Sequence, residues 1–277
     1  MTDCHLHLQD ARLGDPLPVL ATVRREKIFA LVVNGTHPED WGEVARLSRI
    51  APEVIPSFGL HPWRVGNVPR DWPETLARLL REFPEAGVGE AGLDRWIRGH
   101  DLERQKEALR LQMELAAGLG RPLSLHCLQA WGTLLECLRE ADLSAGCLLH
   151  SYAGPVEMLP DFVELGVYFS LSGYFFREGK EEKWKTFESV PPERILLESD
   201  APDMMPPPHF VRVPLFGSGG EAINHPANLV SLYEAYARWQ GLATAEAVAR
   251  IRRNFVSWFF GGERKRHLDR YPGLSGS

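Results

Sequence analysis

Six residues of the types that bind metal ions fall at or near the ends of apolar segments. They are four histidines and two carboxylates, namely His5, His7, Glu90, His126, His150 and Asp200. His5 and His7 are two residues apart, and a strand would place both side chains on the same side together with Asp3. Imidazole groups in such pairs bind transition metals well. A chain with ten histidines contains such a pair by chance now and then, so the argument depends on the other four residues.

Eight short segments predict the strands that must position these residues. They cover residues 2–8, 28–33, 54–58, 86–90, 122–126, 146–150, 167–170 and 195–199. Most are unbroken apolar runs, which indicates a sheet covered on both faces. Helical patterns lie between them, for example at 40–50, 73–83, 101–119 and 131–141, with Asp101 as an N-cap and Gly120 as a C-terminal stop.

The alternation predicts a closed (β/α)8 TIM barrel over residues 1–260 as one hydrolase domain. A doubly wound open sheet is the alternative, but no GxGxxG follows any predicted strand. In a barrel the carboxyl ends of the strands converge on one mouth. Glu90, His126, His150 and Asp200 end the fourth, fifth, sixth and eighth predicted strands, so we expect them to meet there.

Six ligands exceed the number that one tetrahedral ion uses. We therefore expect two ions that share Glu90, one held by His5, His7 and Asp200 and the other by His126 and His150. Two ions about 3.5–4 Å apart activate a water and stabilise the attacking and leaving oxygens of phosphodiester cleavage. Asp200 is also a candidate to orient or deprotonate that water.

Composition narrows the class of protein. The chain has 277 residues, a net charge of -6 and 44% hydrophobic residues, which excludes a disordered, collagen-like or disulfide-dense protein and argues against coating nucleic acid by charge alone. No basic start with an apolar core and no membrane-spanning apolar run is present, so we expect a cytoplasmic protein. The four cysteines form no CxxC pair, and we expect Cys4 to face away from the neighbouring ligands.

Two other segments differ from the alternating pattern. Residues 201–228 are rich in proline and glycine and are too long for a plain connector, so we expect a functional loop. Residues 261–277 are polar with a small positive charge, and we expect a flexible C-terminal tail.

The chain resembles the TatD family of metal-dependent deoxyribonucleases in the amidohydrolase superfamily. The similar motifs follow the order of the family and are Asp3-Cys-His-Leu-His7, Gly59-Leu-His-Pro62, Gly89-Glu-Ala-Gly-Leu-Asp94, Gln105, Pro122-Leu-Ser-Leu-His126, His150-Ser-Tyr-Ala-Gly154, Leu197-Glu-Ser-Asp-Ala-Pro202, Asn224-His-Pro226 and Asn254. The resemblance implies a (β/α)8 barrel, divalent metal ions and hydrolysis of phosphodiester bonds, often from a 3′ end. It assigns the six residues above to metals and places His61 and Asp94 near the substrate.

Four positions depart from that family. Leu128 and Ile223 stand where arginine is usual, Arg95 stands where an aromatic residue is usual, and His225 stands where glutamate is common. Arginine binds phosphate through two parallel hydrogen bonds, so its loss weakens the expected phosphate contacts. We expect Arg64, Arg95 or Arg212, each in a predicted mouth loop, to replace it.

The favoured hypothesis is a nuclease acting on single strands or duplex ends of DNA. One alternative is a metal-dependent hydrolase of a small ester, lactone, amide or phosphoester, and another is a non-catalytic nucleic-acid-binding barrel. Magnesium, manganese and zinc are all candidates, although four imidazoles favour a tightly held transition metal at one site and a weaker, exchangeable ion at the other. No obligate protein partner is expected. Aromatic residues of the mouth loops are candidates for base stacking, namely Trp63, Trp96, Tyr174, Phe175 and Phe176.

Overall fold

Eight parallel strands form one sheet in the computed structural model, which describes residues 1–275. The strands are β1 (Thr2–Leu6), β2 (Ala30–Asn34), β3 (Val54–Phe58), β4 (Gly87–Asp94), β5 (Leu123–Leu128), β6 (Cys147–Leu149), β7 (Tyr168–Ser172) and β8 (Ile195–Glu198), and they are arranged in chain order. The sheet closes just beyond β1 and β8, where His7 N donates to Ala201 O at 2.8 Å and Asp200 N donates to His5 O at 3.0 Å. The predicted (β/α)8 barrel is confirmed.

Helices alternate with the strands and cover the outside of the barrel. They are α1 (Pro16–Arg25), α2 (Pro38–Ile50), α3 (Trp72–Glu82), α4 (Leu102–Leu119), α5 (Trp131–Arg139), α6 (Leu159–Glu164), α7 (Glu181–Lys185), α8 (Leu229–Trp239), α9 (Thr244–Phe259) and α10 (Pro272–Ser275). Asp101 caps α4 by accepting from Arg104 N, and Gly120 ends it with a left-handed φ of 61°, as predicted. No helix in the described part of the chain combines the length and apolar character needed to cross a bilayer.

The end of α9 closes one end of the barrel. Its aromatic residues Phe255, Trp258 and Phe259 form a buried cluster with strand residues that include Val32 and Leu196. The packing is close, since a Cβ placed on Gly146, just before β6, would lie 2.3 Å from Trp258 O. The carboxyl ends of the strands are therefore the end that is left open for a site.

Two strands differ from their predicted bounds in ways that affect the site. β4 continues to Asp94, so Glu90 lies inside the strand and not at its end as expected. The pairing of β4 with β5 shifts between Val88 and Ala91, and this irregularity brings the Glu90 side chain into the barrel mouth. A similar shift in β1 lies between Asp3 and Leu6. Strict alternation along both strands is therefore broken next to the ligands.

The C-terminal segment that we expected to be a flexible tail packs on the barrel. Arg264 is buried and donates to the backbone oxygens of Phe259 and Glu85 at 2.9 and 2.7 Å. Tyr271 and Leu274 are also buried, because they join the cluster at the end of α9. The segment is polar in composition, but the guanidinium of Arg264 donates hydrogen bonds to buried backbone carbonyls. Residues 276–277 of the expected tail lie outside the described residues.

Candidate metal centre

The Glu90 carboxylate is the point at which the predicted ligands meet. Its side chain is 3% exposed. Oε2 lies 3.4 Å from Nε2 of His5 and 3.2 Å from Nε2 of His7, whereas Oε1 lies 3.1 Å from Nδ1 of His126 and 2.9 Å from Nε2 of His150. The two oxygens of one carboxylate thus face the two different histidine pairs.

The first ligand set consists of His5, His7 and Asp200 together with Oε2 of Glu90. Asp200 Oδ1 lies 3.8 Å from Nε2 of His5 and 3.5 Å from Nε2 of His7, and the two nitrogens are 3.3 Å apart. β1 supplies His5, His7 follows it directly, and Asp200 follows β8. The hydrogen bonds that close the barrel between these two strands therefore also bring the three side chains together.

The second ligand set consists of His126, His150 and Oε1 of Glu90. Nδ1 of His126 lies 3.3 Å from Nε2 of His150. His126 belongs to β5, and His150 directly follows β6. The His150 ring stacks on His5 of the first set, with centroids 3.9 Å apart and planes 8° from parallel. The two sets are therefore linked by stacked imidazole rings as well as by the shared carboxylate of Glu90.

Each histidine of the first set is held by its far ring nitrogen. Nδ1 of His7 lies 2.8 Å from the backbone oxygen of Asn34, and Nδ1 of His5 lies 2.9 Å from Oγ of Ser124. A carbonyl only accepts, so Nδ1 of His7 carries the proton and Nε2 keeps its lone pair. That lone pair and Glu90 Oε2 are then two acceptors 3.2 Å apart, and they require a cation or a proton between them.

The second set shows the same arrangement. Asp94 Oδ2 accepts from Nε2 of His126 at 2.9 Å, which leaves Nδ1 as an acceptor facing Glu90. Nδ1 of His150 lies 3.6 Å from Glu198 Oε1. The donor atoms of both sets therefore fit divalent metal ions, since their lone pairs converge and their outer atoms are oriented by neighbours.

Glu198 is a residue of the centre that the sequence interpretation missed. It is fully buried, and its carboxylate accepts from the hydroxyls of Ser170, at 2.5 Å, and Ser151. The Sγ of Cys4 also lies 3.9 Å from Glu198 Oε2, so Cys4 does not face away from the centre as expected. The signal was a carboxylate inside an apolar strand, two residues before Asp200 and so on its side of the sheet.

The carboxylates and histidines of the cluster shift one another's pKa values. Burial lowers the pKa of His7 and His150, but the adjacent carboxylates outweigh burial and raise both well above the ordinary value. His126 is raised in the same way by Asp94 and Glu90. Burial would raise the pKa of Glu90, but the surrounding histidines hold it well below its usual range. The site is thus built to hold positive charge.

His61 lies beside the cluster and forms a third candidate ligand group with Glu90 and His126, but its ring faces Glu90 as a donor in this structure. Its Nδ1 accepts from Trp63 N at 3.2 Å, so Nε2 carries the proton and donates to Glu90 Oε1 at 3.1 Å. Burial lowers the pKa of His61 to about 4, which keeps the ring neutral. We expected a hydrogen bond to substrate, and the structure shows a donor already directed at the carboxylate shared by the two sets.

A cavity of about 1010 Å³ opens above the cluster. Arg64 lines it, as expected of a substrate-binding residue, and so do Trp63 and Trp96. Asp94 does not contact this cavity, because it is fully buried and accepts from the indole Nε1 of Trp63 and from Trp96 N, both at 2.7 Å. Asp94 thus caps the loop after β4, and its contact with substrate stays a prediction.

The other predicted arginines lie elsewhere. Arg95 is exposed outside the cavity lining, and Arg212 donates to Ser231 and pairs with Glu234 at 2.5 Å. Two lysines from the region of α7 line the cavity instead. Lys180 places its ammonium 5.3 Å from the ring centroid of Tyr174, and Lys183 donates to a backbone oxygen of the β6–α6 connection. Charged residues in a loop form no distinctive sequence pattern, so these two lysines could not be predicted to line the cavity.

Positions 128 and 223 show what the two missing arginines leave behind. Leu128 lines the cavity with an apolar side chain, whereas Ile223 is buried in the β9–β10 hairpin (Leu215–Phe216 and Ala222–Ile223). The neighbouring His225 is also buried, and its Nδ1 caps the backbone of Ala227.

Other motif residues position the backbone of the site. Gln105 bonds both backbone groups of Asp94, at 2.8 and 2.9 Å. Asn254 donates to the backbone oxygens of Pro192 and Ile195 at the start of β8. Gln105 and Asn254 therefore serve to hold the backbone of the barrel in place.

Comparisons with known proteins show which family the chain is similar to. Residues 2–260 match the family described as TatD related DNase. The 3′-5′ ssDNA/RNA exonuclease TatD of Edwardsiella piscicida is 28% identical over 250 residues, covering 87% of this chain and 92% of that protein. The human deoxyribonuclease TATDN3 is 26% identical over 286 residues, covering 97% and 96%.

A solved structure adds the comparison of folds. The crystal structure of YJJV, a TatD homologue from Escherichia coli k12, has a TM-score of 0.84 at 23% identity and covers 94% of this chain and 97% of that one. At this level of identity the likeness concerns the barrel alone. The match of the family over nearly the whole chain carries the assignment: the chain belongs to the TatD related DNase family.

Proposed function

We propose that this protein is a divalent-metal-dependent nuclease that hydrolyses phosphodiester bonds at the ends of DNA, preferentially of single strands and from the 3′ end. The observation that carries the proposal is the division of the Glu90 oxygens between two histidine pairs at the open end of the barrel. The names of the two relatives, an exonuclease of single-stranded DNA and RNA and a deoxyribonuclease, support the substrate class.

The proposed centre holds two ions per chain. The first set offers two imidazoles and two carboxylates, from His5, His7, Asp200 and Glu90, and the second offers two imidazoles and the other Glu90 oxygen. The first set has more ligands and is therefore assigned the tighter ion. Imidazole-rich sites favour zinc or manganese over magnesium. Two such ions supply an activated water and stabilise the oxygens of the phosphodiester during displacement.

The side chains around the centre have separate roles. Asp200 lines the cavity, so its carboxylate orients the attacking water and accepts a proton from it. Glu90 fixes both histidine pairs relative to one another, and the neutral His61 fixes Glu90 through the hydrogen bond from Nε2. Arg64 and the lysines at 180 and 183 line the same cavity and bind the phosphates of the substrate.

We assign the hydrolase domain to residues 1–260, the span that the family match nearly covers. The four cysteines carry no disulfide in the described residues, and we propose the reducing cytoplasm as the place of action.

The test is hydrolysis of end-labelled single- and double-stranded DNA with added magnesium, manganese or zinc. Asp200→Asn and His126→Ala remove a predicted base and a predicted ligand, and Glu140→Gln is the matched control because Glu140 is an exposed carboxylate on the outside of the barrel. We expect stepwise shortening that requires metal, persists in Glu140→Gln and falls by at least about 100-fold in the other two variants. Absence of shortening by folded, metal-loaded protein would contradict the proposal.

A further inference from the structure

Two tryptophans that line the mouth cavity supply no ligand to the metal centre. Seven large apolar side chains are exposed in the described residues, and of these only Trp63 and Trp96 line the cavity above the cluster. Their exposed fractions are 48% and 64%. Single exposed aromatic residues are ordinary, but two at the entrance of a polar cavity leave a large apolar surface facing the position of a substrate.

The Trp63 ring is fixed in place by the centre itself. Its Nε1 donates to Asp94 Oδ2 at 2.7 Å, the same oxygen that accepts from His126. The indole also makes edge contacts with His61 and His126, at centroid distances of 5.0 and 6.2 Å. A ring held in this way loses little conformational entropy when a ligand stacks on its free side.

Trp96 is placed by the other oxygen of the same carboxylate. Asp94 Oδ1 accepts from the backbone nitrogens of Trp96 and Ile97, at 2.7 and 3.1 Å. A single buried group therefore sets the backbone of one tryptophan, the ring of the other and the orientation of a metal ligand. The Trp63 ring and the backbone of Trp96 are consequently in a fixed position relative to the metal centre.

We infer that Trp63 and Trp96 form a stacking subsite for one unpaired nucleobase, an inference that rests on the proposed nuclease function. The Trp63 ring contacts His61 and the ligand His126, so a base stacked on it belongs to a nucleotide next to the phosphate at the centre. Stacking on an aromatic ring accepts every base, since each has a π face. A paired base inside a duplex has no free face, so the subsite favours single-stranded ends. Arg64, adjacent to Trp63, lines the same cavity and offers a positive charge to the backbone.

The test measures coupling between the tryptophans and the base. Two single-stranded oligonucleotides are compared, one intact and one with an abasic residue at the terminal positions, using wild type, Trp63→Ala, Trp63→Phe and Trp96→Ala. Phe216→Ala is the matched control because Phe216 is as exposed as Trp96, at 64%, but does not line the cavity. Metal content is measured for each variant, so that loss of the centre is recognised.

We expect wild type, Trp63→Phe and Phe216→Ala to have a lower KM for the intact oligonucleotide, by about tenfold. In Trp63→Ala and Trp96→Ala, the ratio of the KM values for the abasic and intact oligonucleotides falls towards one. An unchanged preference in both alanine variants overturns the subsite, as does an equal rise of KM for both oligonucleotides.

A second measurement distinguishes failure of the nuclease function from failure of the stacking subsite. If wild type hydrolyses neither oligonucleotide, the proposed function fails, and the subsite is then judged from fluorescence anisotropy of labelled intact and abasic strands. Tighter binding of the intact strand that is lost in the alanine variants supports the subsite, and equal binding of both strands by wild type overturns it.

Discussion

Asp94 Oδ2 lies 2.9 Å from Nε2 of His126, and the carboxylate is fully buried. The contact fixes the proton on Nε2 and directs Nδ1 towards Glu90 Oε1, 3.1 Å away. The hydrogen bonds to His126, Trp63 and Asp94's own chain neighbours outweigh the effect of burial and lower the pKa of Asp94 to about 2, so the group is an anion at neutral pH. Asp94 is therefore placed to orient the His126 ring.

Replacement Asp94→Asn is expected to weaken metal binding by the second ligand set about 10- to 100-fold. The amide has the shape of the carboxylate but no charge, and its NH2 group competes to donate to Nε2 of His126, which favours the wrong tautomer. A competition titration with a zinc chelator measures the change. Asp142→Asn, an exposed carboxylate before β6, is the control. Equal affinity in wild type and Asp94→Asn would show that His126 is oriented without this contact.

The two ligand sets are expected to lose metal separately. Asp200→Asn removes a negative charge from the first set only, and His150→Ala removes a nitrogen from the second set only. Glu90→Gln affects both sets, because each of its oxygens faces one of them. Element analysis after dialysis should find about one ion per chain in each of the first two variants and fewer in Glu90→Gln.

The same element analysis decides whether the six residues hold one metal ion or two. Wild-type protein and Glu140→Gln are the references for full occupancy. Loss of all metal from both Asp200→Asn and His150→Ala would mean that the six residues hold a single ion, and the assignment of Glu90 as a bridge would be wrong.

Much of this site was predictable, because parallel strands deliver their carboxyl ends to one mouth. His5, His126, His150 and Asp200 could be placed from the order of apolar segments alone, although the strands themselves are as short as three residues. Two details differ from the prediction: the fourth strand was expected to end at Glu90, and the Cys4 side chain was expected to face away from the ligands. In both strands the register shifts next to the residue, and a local irregularity of pairing has no hydrophobic signature.

Other features depend on contacts that a linear pattern does not contain. Arg264 looked like part of a solvated tail, but it reaches backbone oxygens more than a hundred residues away in the chain. Arg212 was expected at the mouth, but its guanidinium pairs with Glu234 on α8 instead. The resemblance to the family placed Asp94 near the substrate, whereas the burial of Asp94 depends on the Trp63 loop from another strand.

Leu128→Arg is expected to improve binding of single-stranded DNA. Leu128 lines the cavity, so an arginine there adds a positive charge and a two-pronged phosphate contact where the family usually has one. We expect KM to fall about 5- to 10-fold at low salt and the salt dependence of binding to steepen by about one phosphate contact. The control is Leu17→Arg, since Leu17 is 53% exposed outside the cavity. An equal gain in both variants would indicate only a general charge effect.

Stabilisation by metal is expected to increase with pH. In the metal-free protein the pKa values of His7, His126 and His150 are raised by adjacent carboxylates, although burial opposes the shift. Their protonated forms therefore stabilise the fold fully below about pH 6.5, the pKa of an unfolded histidine, and this contribution is lost as pH rises through the folded-state values. A bound ion replaces those protons, so it adds least where they are present and most where they have left.

The measurement is the difference in Tm between zinc-loaded and chelator-treated protein at pH 6 and pH 8. We expect the difference to be larger at pH 8 by on the order of 3–6 °C, since a shift of one pKa unit in one histidine corresponds to about 1.4 kcal/mol. His209→Ala is the control because His209 is exposed in the loop after β8 and does not line the cavity, and it should keep the full pH dependence. His150→Ala should reduce it, because one of the displaced protons is gone. A difference in Tm that is the same at both pH values would show that metal does not compete with protons on these histidines.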